Sequence, residues 1–520
     1  MSSTTINCLP AQVLSHIFGL LSRKECAVVC CVQRSWNFIA SDDSMWKTYC
    51  ADDWLMDRPV LPTGQSCHYY RAAYVAWYKV LGDHSALYRR AKRCVNALES
   101  WMKANIPRMA TVLDGVSEDV ISKAEATVGP FPPVVRILYM LFNGQRLPPA
   151  EFLGEPGNET LFPYPLLYNG LLGGYEFYDH DVNVRWLPLQ HALTCAEGLH
   201  LTPSRRYLIF AASYRWLKFF AVDLDDGMVY TGCHRGRVEH ATMMACLQKD
   251  TPPSPDSAAA AAESTARVDA RNDACELRMR REGENGARVQ QTSRSSLRLA
   301  ANANSATPSG SWGEGASIGG PKVLQESTSQ EAEKDGLLRW LEEYVRRLQS
   351  GMYAVRREPN SPCKSIGLFP QTGPNYSVEV TNGVQVRCSS VFVPELSSMG
   401  GHPNYWFAYS VCMRLLPHDG RQGSARRFKS CQLRARHWIM QDETEALPQE
   451  VRGDAVIGQY PVLHEGGEEF VYQSCTNLRG RRGWMEGDFT MVPGSLWHPA
   501  GDEFEAKVGR LLLEVPSFIY

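Results

Sequence analysis

The chain has 520 residues, 44% apolar and 21% charged, with a formal net charge of −2, enough material for roughly three or four soluble domains at about 150 residues each. So balanced a charge gives no field to attract nucleic acid or an anionic membrane, and no apolar run approaches the ~18–20 residues that cross a bilayer. Residues Met1 to Gln12 lack the basic and apolar regions of a signal peptide, so an intracellular soluble protein, cytoplasmic and/or nuclear, is expected.

The first fifty residues predict a compact set of short helices. Leu9-Pro10 opens the first, and Val13, Leu14, Ile17, Phe18, Leu20 and Leu21 follow as a broad apolar stripe at helical spacing. Ser22 and Glu25 have the form of a capping box for a second helix through Cys26, Val29 and Cys30. A third segment from Gln33 to Ala40 carries Trp36, with Trp46 soon after. A unit of this size buries little surface alone. Leu9, Pro10, Leu14, Ile17 and Trp36 therefore fit either its own core or a helix-on-helix partner interface, or both.

Residues 68–105 read as helices, with Leu87, Ala91, Cys94, Leu98 and Trp101 at helical spacing. Arg89, Arg90, Lys92 and Arg93 fill the other positions, a pattern better explained by a solvated helix face than by nucleic-acid contact. Ser117 to Val128, stopped by Gly129, predicts a helix, and Pro132-Pro133 opens another that ends at Asn143-Gly144. Strand patterns follow at Tyr207–Ala211, Lys218–Val222 and Met228–Tyr230, with Asp226-Gly227 as a turn. Helices first and strands later predict an α+β domain over 95–250, joined to the first unit by a helical connector over 53–94.

Over 251–330 the composition shifts to Pro, Ser, Ala, Gly and Arg, with Trp312 as its sole aromatic, which predicts a disordered low-complexity linker or insertion. An amphipathic helix over 331–350, with Leu337, Leu338, Trp340, Leu341, Tyr344, Val345 and Leu348 on one face, is expected to dock on the preceding α+β domain. The remainder, 362–520, reads as an all-β sandwich. Val378 and Val380 alternate up to an Asn382-Gly383 hairpin turn, and strand runs recur at 405–413, 432–440, 469–474 and 505–515.

Four patterns invite a chemical reading. Gly453 to Gly458 nearly matches a phosphate cradle, but Gln459-Tyr460-Pro461 follows where a helix must begin, so turns and bulges explain the glycines better. Cys233-His234 and His437-Trp438 offer thiol and imidazole without a third orienting group, and read as packing residues. Asp179, Asp181, Asp223, Asp225 and Asp226 lack a calcium-loop spacing and suit strand-end turns. The sixteen cysteines are scattered, none in a C-x-x-C pair, and read as reduced, mostly buried thiols. No catalytic residue, metal site or cofactor emerges.

Taken together, the segment from Leu9 to Leu21, then Val32-Gln-Arg-Ser-Trp36 and Asp43-Ser-Met-Trp46, resembles an F-box, three short helices that dock on the Skp-type adaptor of cullin-based SCF ubiquitin ligases. Val116 to Glu125, Phe142-Asn-Gly144 and Val222 to Val229 resemble a SUKH (Smi/Knr-type) domain, an α+β binding module. Trp406-Phe-Ala-Tyr-Ser410, Arg436-His-Trp-Ile439, Val451-Arg-Gly453, Val456-Ile-Gly458, Pro461, Phe470 to Ser474, Gly483 to Gly487 and Pro516-Ser-Phe518 resemble an ApaG domain, an immunoglobulin/fibronectin-III-like sandwich. Ala455 stands where that family usually has Gly, which further weakens a nucleotide-binding reading of the loop.

The resemblance implies a multidomain α+β chain: F-box over 5–52, SUKH-like domain over 95–250 and ApaG domain over 362–520. It implies a non-catalytic substrate receptor of an SCF E3 ubiquitin ligase, bound through the Skp-type adaptor to cullin and RING subunits, with an unknown protein as substrate and no nucleic acid or membrane. Rate would come from proximity rather than from bond chemistry in this chain. Leu9, Pro10, Leu14, Ile17 and Trp36 are the expected adaptor contacts, and Arg436, Trp438 and Glu486 the expected substrate contacts. The alternative is a scaffold or ligand-binding protein unconnected with ubiquitin.

Overall fold

The structure, a computed structural model, describes residues 6–107, 112–146, 170–198, 206–213, 216–233, 244–245, 335–357, 364–398, 402–418 and 426–520. The predicted linker 251–330, the start of the predicted helix at 331–334, and His234 lie outside them.

After a 3-10 turn at Ile6–Cys8, the N-terminal unit comprises α1 (Ala11–Gly19), α2 (Arg23–Val29), α3 (Arg34–Ala40) and α4 (Asp43–Trp54). The capping box at α2 forms in full. The Glu25 N–H donates to Ser22 Oγ at 3.3 Å, and the Ser22 N–H donates to the Glu25 carboxylate at 2.7 Å. Inside, Leu14, Phe18, Cys26, Ala40, Trp46 and Tyr49 pack together. Their polar atoms close the gaps between helices: Trp46 Nε1 donates to Ala40 O at 2.8 Å and the Tyr49 hydroxyl to Phe18 O at 3.2 Å.

An aromatic column ties this unit to α5 (Tyr70–Leu81) and α6 (Ser85–Asn105). The Trp46 and Tyr74 rings lie 5.2 Å apart, Trp54 and Trp77 stack at 6.0 Å, and Trp77 meets Tyr88 at 5.2 Å. Buried Asp53 accepts from the Tyr74 hydroxyl at 2.8 Å and pairs with Arg23 Nε at 2.8 Å. The 21-residue α6, about 30 Å long at 1.5 Å per residue, runs without a break through residue 94. The connector expected over 53–94 and the domain expected from 95 therefore share one rod.

In the middle region, β1 (Val112–Asp114) is followed by α7 (Glu118–Val128) and α8 (Pro133–Leu141). The expected helix end at Asn143-Gly144 is corrected. Helix α8 stops at Leu141, and Phe142–Gln145 forms strand β2, because β1 offers it an antiparallel partner. Strands β3 (Gly174–Phe177), β4 (His180–Trp186), β5 (Tyr207–Ser213), β6 (Phe219–Asp223), β7 (Val229–Gly232) and β8 (Met244–Ala245) form successive antiparallel neighbours, with α9 (Leu189–Gly198) between β4 and β5. Helix α10 (Gly336–Gln349) turns Leu337, Leu338, Trp340, Leu341 and Tyr344 inward, with Trp340 5.1 Å from the Phe220 ring. Arg90 of α6 holds the start of α10 through Asp335 at 2.7 Å and Glu342 at 2.8 Å.

The sheet then gains two strands from further along the chain, β9 (Ala354–Arg357) and β10 (Lys364–Gly367), the latter pairing parallel to β3. This corrects the boundary at 362, since β10 belongs to the middle sheet. The Leu368 N–H donates to Gly174 O at 2.9 Å, and Gly173, at φ 70°, leaves room for the Ile366 carbonyl, which a Cβ there would meet at 2.7 Å. Such a pairing joins segments nearly two hundred residues apart, so no local pattern marks it.

The sandwich begins at β11. One sheet runs β11 (Tyr376–Thr381), β12 (Val384–Ser398), β13 (Asn404–Leu415), β17 (Phe470–Leu478). The other runs β15 (Gln449–Asp454), β14 (Ser430–Asp442), β18 (Arg482–Pro493), β19 (Phe504–Glu514), with β16 (Val462–His464) also on β14. Every pairing is antiparallel. At the β11–β12 hairpin Asn382 and Gly383 take φ 50° and 81°, the left-handed pair such a tight turn requires. Residues Ile519 and Tyr520 return to the middle region, where Trp340 Nε1 donates to Ile519 O at 2.7 Å and the Tyr520 hydroxyl to Trp340 O at 2.8 Å.

Candidate functional site

The helices α1 to α3 divide their apolar residues between two faces. Leu14 is only 5% exposed and packs inward with Phe18, so it belongs to the core and is corrected as a direct partner contact. Ile17, Leu9 and Trp36 are half-buried, and Pro10 is exposed. Trp36 rests edge-on against Phe18 at 5.5 Å, holding part of its indole at the surface. Other apolar residues outside the expected contacts also face outward: Val13, Leu20, Val28 and Val32 are exposed, and Phe38 is 83% exposed, with Val28 and Phe38 unmarked by the sequence reading. Exposed side chains of this size on adjacent short helices form the kind of surface that excludes water when a partner helix covers it.

At the sandwich the three expected contacts separate. Trp438 is 3% exposed, set edge-on to Tyr409 at 5.5 Å and Phe489 at 5.6 Å, so it is core and corrected as a surface contact. Arg436 caps the turn after β15, donating to Asp454 O at 2.9 Å and Ala455 O at 2.8 Å. Glu486 pairs in register with Ile439, on the face opposite Trp438, and forms an ion pair with Arg510 at 2.8 Å. The guanidinium of Arg510 lies 3.6 Å from the Trp484 ring centroid. Three residues drawn from two motifs thus serve three different structural purposes.

A surface that no motif marked stands at one end of this sandwich. Trp497 is 88% exposed, and Ile457, Tyr460 and Val462 are also exposed. Gln432 binds the two loops together, donating to Tyr460 O at 2.9 Å and accepting from the Leu496 N–H at 2.9 Å. The Gly453–Gly458 stretch is a turn: Ala455, Ile457 and Gly458 all have positive φ, and Val456 bridges to Gln459. A β-branched residue at φ 43°, as Ile457 is, is strained, and such strain persists where the surroundings enforce it.

Between the middle sheet and the sandwich lies a buried polar cluster. Glu395 of β12 accepts from the Tyr175 hydroxyl at 2.7 and 2.9 Å and contacts His180 Nε2 at 2.8 Å. Lys218, fully buried, donates to the Tyr175 hydroxyl at 3.2 Å and to the main-chain oxygen of Tyr520. Burial opposes the charge on Glu395, but the Lys218 ammonium and the His180 contact outweigh it and hold the carboxyl below its ordinary value. Tyr178 adds a hydroxyl contact to Ser474 at 2.9 Å, from a positive-φ turn.

The remaining chemical candidates resolve into structure. Asp223 accepts from the Asp225 N–H and Asp226 from the Met228 N–H, each at 2.8 Å, which are turn-forming contacts. His437 lies between Glu450 at 3.2 Å and Asp488 at 3.4 Å on the outer face of its sheet. Burial pushes the thiols of Cys94 and Cys431 up to about 12 and those of Cys195 and Cys412 to about 11, which keeps them protonated and poorly nucleophilic. No helix among the described residues is long and apolar enough to cross a membrane.

Two family profiles match the chain, one described as F-box-like over residues 6–52 and one described as ApaG domain over 395–493. F-box protein SKIP16 of Arabidopsis thaliana is 32% identical over 98% of this chain and 98% of its own length. Human F-box only protein 3 is 21% identical over 98% of this chain and 85% of its own length. Protein ApaG of Methylobacterium sp. (strain 4-46) is 39% identical over 26% of this chain and 91% of its own.

Proposed function

Because the chain belongs to the family of F-box proteins that carry an ApaG domain, we propose that it is the substrate receptor of an SCF-type E3 ubiquitin ligase. Its F-box binds a Skp-type adaptor, and through it cullin and RING subunits. The observation that carries this reading is the exposed apolar row on α1 to α3, at the segment where the F-box profile matches. Ile17, Leu9, Pro10 and Trp36 are its inner contacts, with Val13, Leu20, Val28, Val32 and Phe38 around them.

The middle α+β region, which we take as SUKH-like, and the ApaG sandwich hold the substrate. The end of the sandwich bearing Trp497 and Tyr460 is the face best suited to that task, because large aromatic anchors dominate binding energy at protein interfaces. The chain performs no bond chemistry in this reading. It holds an acceptor near a ubiquitin-charged enzyme and raises the local concentration of the reacting pair. The cytoplasm and the nucleus are both suitable compartments for it.

The test is a pull-down of the wild-type chain and an Ile17→Asp variant against recombinant Skp-type adaptor. Placing a carboxylate in a surface desolvated on binding costs several kcal/mol, so wild type alone is expected to bind. If neither binds although both are folded, the ligase assignment falls and the chain is a multi-module binding protein.

A further inference from the structure

Helices α3 and α5 flank a shallow, open groove that the F-box segment alone does not complete. On the α3 side it is lined by Cys31, Gln33, Asn37 and the exposed Phe38. On the α5 side it is lined by Tyr69, Ala72, Val75, Ala76 and Lys79, spaced to share one helix face, with Val75 41% exposed. Ser41 and Arg71 line both halves and join them. The junction is firmly built: Arg71 Nη1 donates to Ser41 Oγ at 2.6 Å, the Arg71 N–H donates to Asp43 Oδ1 at 3.2 Å, and the guanidinium lies 5.7 Å from the Trp46 ring centroid.

The rim is cationic. Arg34 stands at one end and Lys79 at the other, and neither forms an ion pair among the described residues. The one carboxylate in the lining, Asp43, is engaged by the Arg71 main chain. A lining in which Phe38, Ala72, Val75 and Ala76 lie between cations suits an amphipathic helix whose flanks are acidic. A second copy of this chain, docked about a two-fold axis, would oppose the same cations to themselves.

We propose that this groove extends the adaptor-binding face, so that an acidic, apolar helix of the same Skp-type adaptor crosses from α3 onto α5. The footprint then runs past residue 52, where the F-box match ends. The proposal rests on the adaptor reading above and adds a contact region to it. Continuity supports it: Phe38 belongs both to the exposed apolar residues of the F-box segment and to the lining of the groove.

The full chain and three variants, Val75→Glu, the double change Arg34→Glu with Lys79→Glu, and Ile17→Asp, are titrated with recombinant adaptor at low and high salt. Folding and oligomeric state are followed by circular-dichroism melting and gel filtration. Val75→Glu is expected to weaken binding by about tenfold or more. The double change is expected to weaken it more at low salt than at high salt, because rim charges act through a screened field. If Ile17→Asp abolishes binding while the α5 and rim variants bind as wild type does, the extension is overturned and the F-box reading stands. A wild-type chain that does not bind overturns both. Rim or Val75 variants that change the chain's own oligomeric state and leave adaptor affinity unchanged make the groove a self-association surface, which also overturns the proposal.

Discussion

The Tyr175 hydroxyl donates to both carboxylate oxygens of Glu395, bridging a strand of the middle sheet and a strand of the sandwich through one buried contact. Around that contact Lys218 and His180 from the middle sheet face the same carboxylate. Two regions that differ in architecture are thereby joined by an ionised group neither could bury alone.

Glu395→Gln is expected to destabilise the chain by about 3–5 kcal/mol at neutral pH, because the buried Lys218 ammonium and His180 then face a neutral amide in place of the carboxylate. The pH dependence follows from the sign of the shift. The folded carboxyl titrates below its ordinary 4.5, so its contribution is complete above that value and disappears as pH falls through the folded one. Urea melts of wild type and variant should converge in acid. A stability gap that is the same at every pH would sink the role given to the charge.

Trp438 and Trp497 should respond oppositely to truncation. Trp438→Ala opens a cavity beside Tyr409 and Phe489 and is expected to cost about 3–5 kcal/mol. Trp497→Ala removes a side chain that is almost wholly in water and is expected to change stability by no more than about 0.5 kcal/mol. Thermal melting of the two variants side by side checks the assignment, and a large loss at Trp497 would show that its ring is covered.

Leu14 and Ile17 offer a similar contrast on one helix. Leu14→Ala should lower stability by about 2–5 kcal/mol through the cavity it leaves next to Phe18. Ile17→Asp should leave melting closer to wild type while removing adaptor binding, since part of that side chain faces solvent. Equal destabilisation of both variants would mean that Ile17 is core as well.

Tyr520→Ala removes a ring 5.0 Å from Trp340 and 5.2 Å from Tyr344, together with the hydroxyl that donates to Trp340 O. The expected cost is about 3–5 kcal/mol. Hydrogen exchange on α10 should locate it, because that helix loses the cover over its most buried residues.

What was legible in the sequence was local. The Ser22–Glu25 capping box, the stop at Gly129 and the Asn382-Gly383 turn each need only a few neighbouring residues, and each formed as read. What was hidden depended on distant chain. A wide apolar stripe on α1 could not say that Leu14 points in and Val13 out, because that division is made by where α2 and α3 lie. The strand Phe142–Gln145 needed β1, β10 needed β3, and the burial of Trp438 needed the opposite sheet. Trp497 carried no periodic signal at all, since an exposed aromatic in a turn looks the same in sequence as a buried one.

Helix α6 carries a consequence for the chemistry proposed here. One unbroken rod packs against α4 of the F-box unit and against α8 and α10 of the middle region, which in turn grips the sandwich through Tyr520 and Glu395. A cargo seated on the sandwich would be presented at a set distance and azimuth, as on a gauge block. Which of its lysines receive ubiquitin would then be chosen by ruler and protractor, with the sequence around each lysine having little say.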